Sequence, residues 1–381
     1  MARRPFHWPD VVRSVGLASD ARKLILAMLG LILTRVGIMG LDYVFGNPWP
    51  ASPLPVSLRV WRDLFSPEWL AETLAMATWL VTEPPRLIVE PLIELLRSNT
   101  PGMRRLQAAL ACAWILAVWG LIGGAIARIA VVQTTGNGGG GVLGSLRFAL
   151  RRWLPLVGAP LGPFLLGAMF ATPAILAGLV SKLFHNSPFV AGLVSPVAVV
   201  CAAFLAFLLI ALVLAWPLMH LTVAAEGEDI FDAISRSFSY VNQRLIRYTT
   251  CLILAWLAGS IGLFFVFWFA SMVLVLSMSL LSVFGDLQFF EAVYEIGAID
   301  VRRSSTSLLS AIGLVGLMVH AWAYSYFWSA LSVIYLMLRR DVDGTPWHDV
   351  YLESHEADEF APKSPTLDLT GSPGSPPVPE A

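Results

Sequence analysis

The feature that most constrains this chain is the length of its uncharged tracts. Between Trp153 and Ala225, 73 positions contain one formally charged residue, Lys182. Two further tracts, Tyr248–Gly285 and Ser304–Leu338, contain no Asp, Glu, Lys or Arg. A water-soluble fold cannot cover that much uncharged surface, whereas a bilayer needs only about 20 apolar residues for each helical span. The sequence therefore predicts an all-α protein that crosses a membrane several times.

The composition is also typical of a membrane protein. The chain is 57% hydrophobic and 13% charged, whereas soluble proteins contain about 25% charged residues. Its net charge of −1 argues against a nucleic-acid partner, which requires a concentrated basic surface. The three cysteines lie in apolar tracts, so we expect them to pack as small hydrophobic residues and to form neither disulfides nor a zinc site.

Six apolar segments are long enough to span a bilayer, and they comprise residues 24–45, 106–133, 154–181, 190–222, 249–284 and 305–338. The first continues through Arg35 without a small-residue cleavage site, so we expect it to remain in the protein. Together they predict a bundle of about six transmembrane helices over residues 24–340, after a cytoplasmic segment 1–23. Residues 341–381 become rich in Pro, Ser and Gly, which predicts a disordered tail.

The distribution of Lys and Arg predicts the orientation of these spans. If the N-terminus is cytoplasmic, the cytoplasmic segments carry fourteen basic residues and the opposite side carries nine. Cytoplasmic loops of membrane proteins are enriched in Lys and Arg. We therefore predict a multi-pass protein of the inner (plasma) membrane with both termini in the cytoplasm.

The segment between the first two spans, residues 46–105, does not read as a span. It opens with four prolines up to Pro55, which indicates an extended loop. The stretches 67–82 and 84–97 each begin with a proline and have helical length and mixed polarity. We predict two interfacial or re-entrant helices here.

The third span contains four prolines, which predict kinks or breaks in its helix: Pro155, Pro160, Pro163 and Pro173. Proline-broken helices form the binding sites of some transporters. Since no inverted partner repeat is visible, tolerance of proline within a helical bundle is the alternative interpretation.

The connector Ala225–Tyr248 carries the clearest helical pattern in the chain. Its apolar residues fall on one helical stripe, made of Ile230, Ile234, Phe238, Val241, Leu245 and Tyr248. Acidic residues gather at its start, and Arg244 and Arg247 stand near its end, which complements a helix dipole. We predict an amphipathic helix on the cytoplasmic face, inserted into the lipid bilayer by the stripe and held by the two arginines.

A similar pattern of apolar residues lies 88 residues earlier in the chain. Val142, Leu143, Leu146 and Leu150 occupy the same offsets as Ile230, Phe231, Ile234 and Phe238. The pattern indicates either a span–helix–span repeat or only the similarity expected of any two amphipathic connectors.

Two short motifs carry a resemblance to known membrane proteins. Glu226-Gly227, Ala233 and Arg236-Ser237 resemble the connector of bacterial polytopic membrane families of unknown role, which include the membrane domain that accompanies some glycerophosphodiester phosphodiesterases. The stretch Arg339–Thr345 resembles uncharacterised planctomycete membrane proteins. The resemblance covers some thirty of the 381 residues and includes no phosphodiesterase domain, so it implies no catalytic residue.

Three residues form the candidate polar site within the membrane. His320 lies near the middle of the sixth predicted span, and an ionisable residue at that depth predicts a functional site. Tyr324 stands one turn further along the same helical row. Arg35 lies deep enough in the first span to need a partner or a water path. The alternatives are a neutral histidine bonded to a neighbouring helix and an arginine that snorkels to the interface.

The sequence offers no motif for catalysis, for a cofactor or for a metal. The glycine-rich stretch 136–141 lacks the lysine of a phosphate-binding loop. We therefore predict a non-enzymatic scaffold or accessory component of a membrane, whose partners are the lipid bilayer and other membrane or cytoplasmic proteins. The alternatives are a transporter for a small or lipidic solute and the membrane subunit of a separately encoded enzyme.

The predicted orientation can be tested with reporter fusions at the two ends. A reporter fused after Ala381 and one that replaces residues 1–10 should both give cytoplasmic signals, because the six predicted spans return the chain to the side on which it starts. A periplasmic signal from either end would require an odd number of spans.

Overall fold

The structure is a computed structural model that describes residues 9–49, 66–97, 99–136, 141–184, 187–283 and 306–351. Within these ranges the regular structure is helical throughout. The helices are α1 (Pro9–Ala18), α2 (Ala21–Phe45), α3 (Pro67–Val81), α4 (Glu83–Leu96), α5 (Gly102–Thr135), α6 (Val142–Arg151), α7 (Trp153–Leu183), α8 (Pro188–Glu226), α9 (Ile230–Gln243), α10 (Leu245–Ser282) and α11 (Thr306–Asp343).

Six of these helices, namely α2, α5, α7, α8, α10 and α11, are long and apolar enough to cross a membrane. The predicted class, an all-α polytopic bundle, is confirmed. The folded part extends beyond the boundary expected at residue 341, because α11 continues to Asp343 and the Tyr351 amide donates a hydrogen bond to the Ala225 carbonyl (2.8 Å). The remainder of the predicted tail, from residue 352, lies outside the described residues.

Helices α5 and α11 form the centre of the bundle. The apolar cores of these two spans are 89% and 94% buried, whereas those of α7 and α8 are each 6% buried. Around α11 pack α1, α2, α3, α4, α5, α8, α9 and α10. Small residues on α11 allow this close approach: Ser325 Oγ donates to the Ala18 carbonyl of α1 (2.7 Å), and Ser329 Oγ accepts from the Lys23 ammonium of α2 (2.7 Å).

Polar pairs on α5 mark the two ends of the bundle. Gln107 donates to Asp42 beyond the middle of α2 (3.0 Å), and Gln133 donates to Asp20 just before α2. We call these the hairpin end and the connector end. Hydrogen bonds from Arg22 lower the pKa of Asp20 to about 2, so Asp20 accepts from Gln133 as a carboxylate.

Helices α3 and α4, the pair that we call the hairpin, meet inside the bundle at a one-residue break, Thr82. With 15 and 14 residues they are each about 22 Å long, too short to cross roughly 30 Å of hydrocarbon. Glu83, the first residue of α4, reaches His320 of α11 (2.7 Å), while the Arg97 carbonyl after α4 accepts from Arg105 near the start of α5 (3.1 Å). Helix α4 therefore runs from the middle of the bundle to the hairpin end. The choice between interfacial and re-entrant helices stays a prediction.

The connector differs from the single helix predicted over Ala225–Tyr248. Helix α8 ends at Glu226 because Gly227 adopts a left-handed backbone (φ 67°), and Asp229 caps the new helix α9. Helix α9 ends at Gln243, and Arg244 turns the chain into α10. The sequence predicted a single helix because the period of the side chains continues through both backbone breaks. The segment is in fact divided among α8, α9 and α10.

The same arrangement occurs at the earlier connector. Helix α5 is terminated by left-handed Gly136 (φ 72°), short α6 follows, and Arg152 alone separates it from α7. The sequence α5–α6–α7 thus matches α8–α9–α10 in order and in its backbone breaks, which supports the repeat interpretation of the two connectors.

The contact between α10 and α11 depends on a glycine. A Cβ atom on Gly259 would lie 2.3 Å from a ring carbon of Tyr326, whose hydroxyl donates to the Ala255 carbonyl (2.6 Å). Gly259→Ala should therefore lower the free energy of unfolding by about 1–3 kcal/mol through overpacking. Thermal unfolding in detergent, followed by tryptophan fluorescence, measures the loss.

Gly178→Ala of α7 is the matched control, because nothing lies within 4 Å of its Cβ position. Its melting temperature should stay unchanged or rise slightly, since alanine favours a helix over glycine. Equal melting temperatures for the two variants would contradict the close packing of α10 on α11.

Candidate functional site

A cavity of about 440 Å³ lies between α2, α4, α5 and α11. Most of its lining is aliphatic, with polar or aromatic side chains at a few positions: Thr34, Arg35, Trp49, Glu83, Glu90, His320 and Tyr324. Volumes of roughly 300–1,000 Å³ and a mainly apolar wall with few polar groups are typical of small-molecule sites. This cavity, which we call the hairpin cavity, is the candidate functional site.

The three residues of the predicted polar site all line the hairpin cavity. His320 and Tyr324 reach it from α11, and Arg35 reaches it from α2. Sequence analysis missed Glu83 and Glu90, because it left α4 as either interfacial or re-entrant and its mixed polarity singled out no residue. The only local signal was the polar turn at Thr82-Glu83, which interrupts two helices of apolar character.

His320 and Glu83 form the polar centre of the site. His320 Nδ1 lies 2.7 Å from Glu83 Oε2, and the two side chains are only 8% and 13% exposed. Glu83 stands at the start of α4, where the helix dipole stabilises a carboxylate. Pro84 and Pro85 follow Glu83. Proline has no amide proton, but this costs no hydrogen bond here, because the first turn of a helix leaves its amides unpaired.

Arg86 stabilises the tip of the hairpin. Its guanidinium donates to the carbonyls of Trp79 (2.9 Å) and Thr82 (3.3 Å) at the end of α3. The guanidinium also stacks over the Trp79 ring, 3.8 Å from the centroid. The last carbonyls of a helix have no partners of their own, so Arg86 makes it possible for α3 to end inside the bundle.

Two buried polar atoms at the inner end of the cavity have no hydrogen-bond partner among the described residues. They are Nε2 of His320 and the hydroxyl of Tyr324. The Tyr324 ring is held by stacking on Trp119 of α5 (4.3 Å), whose indole nitrogen donates to Thr34 Oγ1 (3.1 Å). An unsatisfied buried polar group costs about 1–3 kcal/mol, so these atoms are suited to bind a ligand or water.

The inner end of the cavity lies near the middle of the bundle. Trp119, on which Tyr324 stacks, is twelve residues from Gln107 and fourteen from Gln133 along α5. At 1.5 Å per residue these separations are about 18 Å and about 21 Å. The cavity therefore extends from mid-bundle depth towards Trp49 at the hairpin end.

A second polar cluster closes the connector end. The Glu226 carboxylate, 6% exposed, accepts from Arg236 of α9 and from Tyr335 and Arg339 of α11. The Tyr240 hydroxyl of α9 donates to Asp343, and burial raises the pKa of Tyr240 above its usual range. These contacts join the connector to the end of α11, the two stretches that carry the resemblance noted above.

Of the six predicted membrane-interface residues, three are half-buried and three are exposed. Ile230 and Ile234 pack over Gly158 and Gly162 of α7, and Phe238 is half-buried. The most buried face of α9 is instead Ala233, Ser237, Tyr240 and Val241. The first part of the stripe thus packs on α7, and its insertion into the lipid bilayer stays a prediction.

The other three predicted interface residues lie in the turn after α9 and at the start of α10: Arg244, Leu245 and Arg247. Arg247 pairs with Asp341, and Arg244 donates to the Asp341 carbonyl (3.2 Å), whereas Leu245 is exposed. The arginines were predicted to hold the connector on an anionic lipid surface. In the structure they bind the end of α11, because the break at Arg244 turns them towards it.

Comparison of the chain with known protein families, with curated proteins and with solved structures finds no match. The fold and the site themselves define the class: an all-α polytopic membrane protein with six candidate spans and two short helices whose junction lines a cavity.

The His320–Glu83 pair can be tested with a double-mutant cycle. His320→Leu and Glu83→Leu should each destabilise the protein in detergent, because each leaves a buried partner without its hydrogen bond. The double variant should lose less than the sum, with a coupling of about 0.5–3 kcal/mol.

His220→Leu provides the matched control. His220 is buried as well, but its Nδ1 lies 3.2 Å from the Trp216 carbonyl, in its own helix. Combined with Glu83→Leu, its effect should be additive. Additive losses for His320 and Glu83 too would show that the two side chains are not coupled.

Proposed function

We propose that the protein is a permease that moves a small amphiphilic solute across its membrane and binds it in the hairpin cavity. The observation that carries this proposal is the cavity itself, with ionisable side chains and unsatisfied polar atoms at mid-bundle depth. Ionisable residues at that depth are costly and are retained mainly for function. Helix ends inside the membrane also form the solute sites of many secondary transporters.

The site of this permease differs from the one expected from sequence. The proline-containing span, α7, does not line the hairpin cavity, which is built by α2, α4, α5 and α11. Helix α7 continues through Pro160, Pro163 and Pro173 and packs mainly on α8. The helix break that lines the cavity is instead the turn between α3 and α4.

Buried contacts separate the cavity from the connector end. The Lys23 ammonium donates to Ser329 Oγ, and Arg128 donates to the Ala224 carbonyl (2.7 Å for each). Glu226 with its three partners lies beyond them. A permease of this design opens its cavity to the connector end by loosening these contacts. We propose that the connector end faces the cytoplasm of a plasma membrane, with both termini on that side.

A non-catalytic scaffold is the second candidate, and the α7–α8 hairpin favours it. Large apolar side chains on both helices are exposed, among them Leu165 (72%) and Phe207 (73%). Such a surface suits lipid or the spans of a partner membrane protein. A scaffold, however, has no need of polar groups in an internal cavity.

Access to the cavity from both sides distinguishes a permease from a scaffold. In a background in which Cys112, Cys201 and Cys251 are replaced by alanine, Leu317→Cys places a thiol in the cavity wall. In sealed proteoliposomes of known orientation, a membrane-impermeant methanethiosulfonate should modify it when added to either side, because a permease opens to each side in turn.

Met318→Cys is the control, since Met318 is the next residue of α11, is 51% exposed and does not line the cavity. Surrounded by lipid, its thiol should stay unmodified. Modification of Leu317→Cys from one side only, or from neither, would exclude alternating access and leave the scaffold as the better account.

A further inference from the structure

Two opposite charges line the hairpin cavity without meeting. Arg35 belongs to α2 and Glu90 to α4, and both side chains are exposed. Within the described part of the chain, no hydrogen bond or ion pair joins either of them to another residue. Glu94, one turn further along α4, is by contrast paired with Arg97 (3.1 Å). Arg86, one turn before Glu90 on α4, acts on the Glu90 carboxylate through space, while its guanidinium donates to the carbonyls of Trp79 and Thr82. The hydrogen-bonding groups of Arg35 and Glu90 are therefore available to a ligand.

The two charges lie at nearly the same depth. The Trp114 indole of α5 donates to the Leu33 carbonyl (3.0 Å) and packs on Gly37, so Arg35 lies level with Trp114. On the α4 side, Glu83 bonds to His320 at the inner end of the cavity and the Arg97 carbonyl accepts from Arg105 at the hairpin end. Glu90 is seven residues from each, so it lies about halfway between them.

The rim of the cavity faces away from the bundle. Ile32 and Val36 of α2 line the cavity and are nevertheless 46% and 60% exposed. Helix α2 is a candidate span of which only 22% is buried, so its exposed apolar side chains face the hydrocarbon of the bilayer. The cavity wall behind them is also apolar, with Leu31, Ile115 and Leu317. A ligand can therefore enter sideways from the bilayer and keep its apolar part in an apolar environment.

We propose that the ligand of the hairpin cavity is a membrane amphiphile whose headgroup is a zwitterion, with a phosphate that binds Arg35 and an amine that binds Glu90. A guanidinium binds phosphate oxygens through two parallel hydrogen bonds. A purely anionic headgroup leaves Glu90 unmatched in a site of low polarity, and a purely cationic one leaves Arg35 unmatched. The unsatisfied Nε2 of His320 and hydroxyl of Tyr324 remain as further polar contacts deeper in the cavity.

This inference rests on the proposed function, since it identifies the chemical class of the transported solute. The same headgroup chemistry exists in a free zwitterion such as glycerophosphoethanolamine. The apolar rim and wall favour the lipid as the source.

Binding to the full-length protein in maltoside micelles tests the proposal. Three probes are titrated by microscale thermophoresis: dihexanoylphosphatidylethanolamine, dihexanoylphosphatidylglycerol and glycerophosphoethanolamine. The ethanolamine lipid should bind at least tenfold more tightly than each of the other two, because it alone offers both charges and acyl chains.

Variants of Arg35 and Glu90 test which charge of the headgroup each side chain binds. Arg35→Gln should weaken binding of both lipids at least tenfold, whereas Glu90→Gln should abolish the preference for ethanolamine over glycerol. Glu94→Gln is the matched control on α4 and should leave all three affinities unchanged, because Glu94 does not line the cavity. Gel filtration and thermal unfolding verify that each variant is folded.

Three results would overturn the proposal. Equal affinity for the two lipids would exclude zwitterion recognition, tight binding of glycerophosphoethanolamine would exclude a membrane amphiphile, and unchanged selectivity in Glu90→Gln would exclude the assigned contact. The outcome is separable from the permease test: selective binding with Leu317→Cys modified from one side only supports the site and rejects transport. Modification of Leu317→Cys from both sides without selective lipid binding supports transport and rejects the proposed headgroup site.

Discussion

Hydrocarbon offers no hydrogen bonds, so each polar side chain between the helices must find its partner within the protein or in a ligand. Helix α11 shows what this requires. From Thr306 to Asp343 it presents His320 to Glu83, Ser325 to α1, Ser329 to α2 and Arg339 to Glu226. Helices α1, α2, α4 and α8 supply these partners, so the burial of α11 follows partly from this demand and not from apolarity alone.

The junction of α3 and α4 places polar groups inside the bundle. It brings a helix end, a carboxylate and a guanidinium to the middle of the bundle, where unpaired groups of this kind are strongly unfavourable. Arg86 satisfies the end of α3, and His320 satisfies Glu83. Two groups that remain without a partner among the described residues, Nε2 of His320 and the hydroxyl of Tyr324, lie on the cavity wall. They connect the fold to its proposed role, because a solute can bind them.

The connector end follows the same rule with a different result. Glu226 collects hydroxyl and guanidinium donors from α9 and α11, so its carboxylate is satisfied within the protein. Two motifs more than a hundred positions apart in the chain are thus parts of one cluster. Their joint role in closing this end is a sufficient physical reason for both to be recognisable as sequence patterns.

Much of the fold could be predicted from the sequence, because the length of an apolar tract and the position of a proline are local properties. The six candidate spans, the two short helices after Pro67 and Pro84, and the intramembrane position of His320 are of this kind. The connector was predicted less well, since the period of Ile230 to Tyr248 continues across the breaks at Gly227 and Arg244. Side-chain periodicity does not record where the backbone turns.

The candidate site was decided only by the tertiary structure. Glu83 is 237 positions from His320, and nothing local indicates that a polar turn before Pro84 meets the sixth span. Arg35 and Glu90 lie at the same depth only because α2 and α4 both pack against α5. The sequence determined which residues are too polar for lipid, and the packing of the helices determined which of them face each other across a cavity, because partners in three dimensions are set by contacts between segments rather than by the chain within each segment.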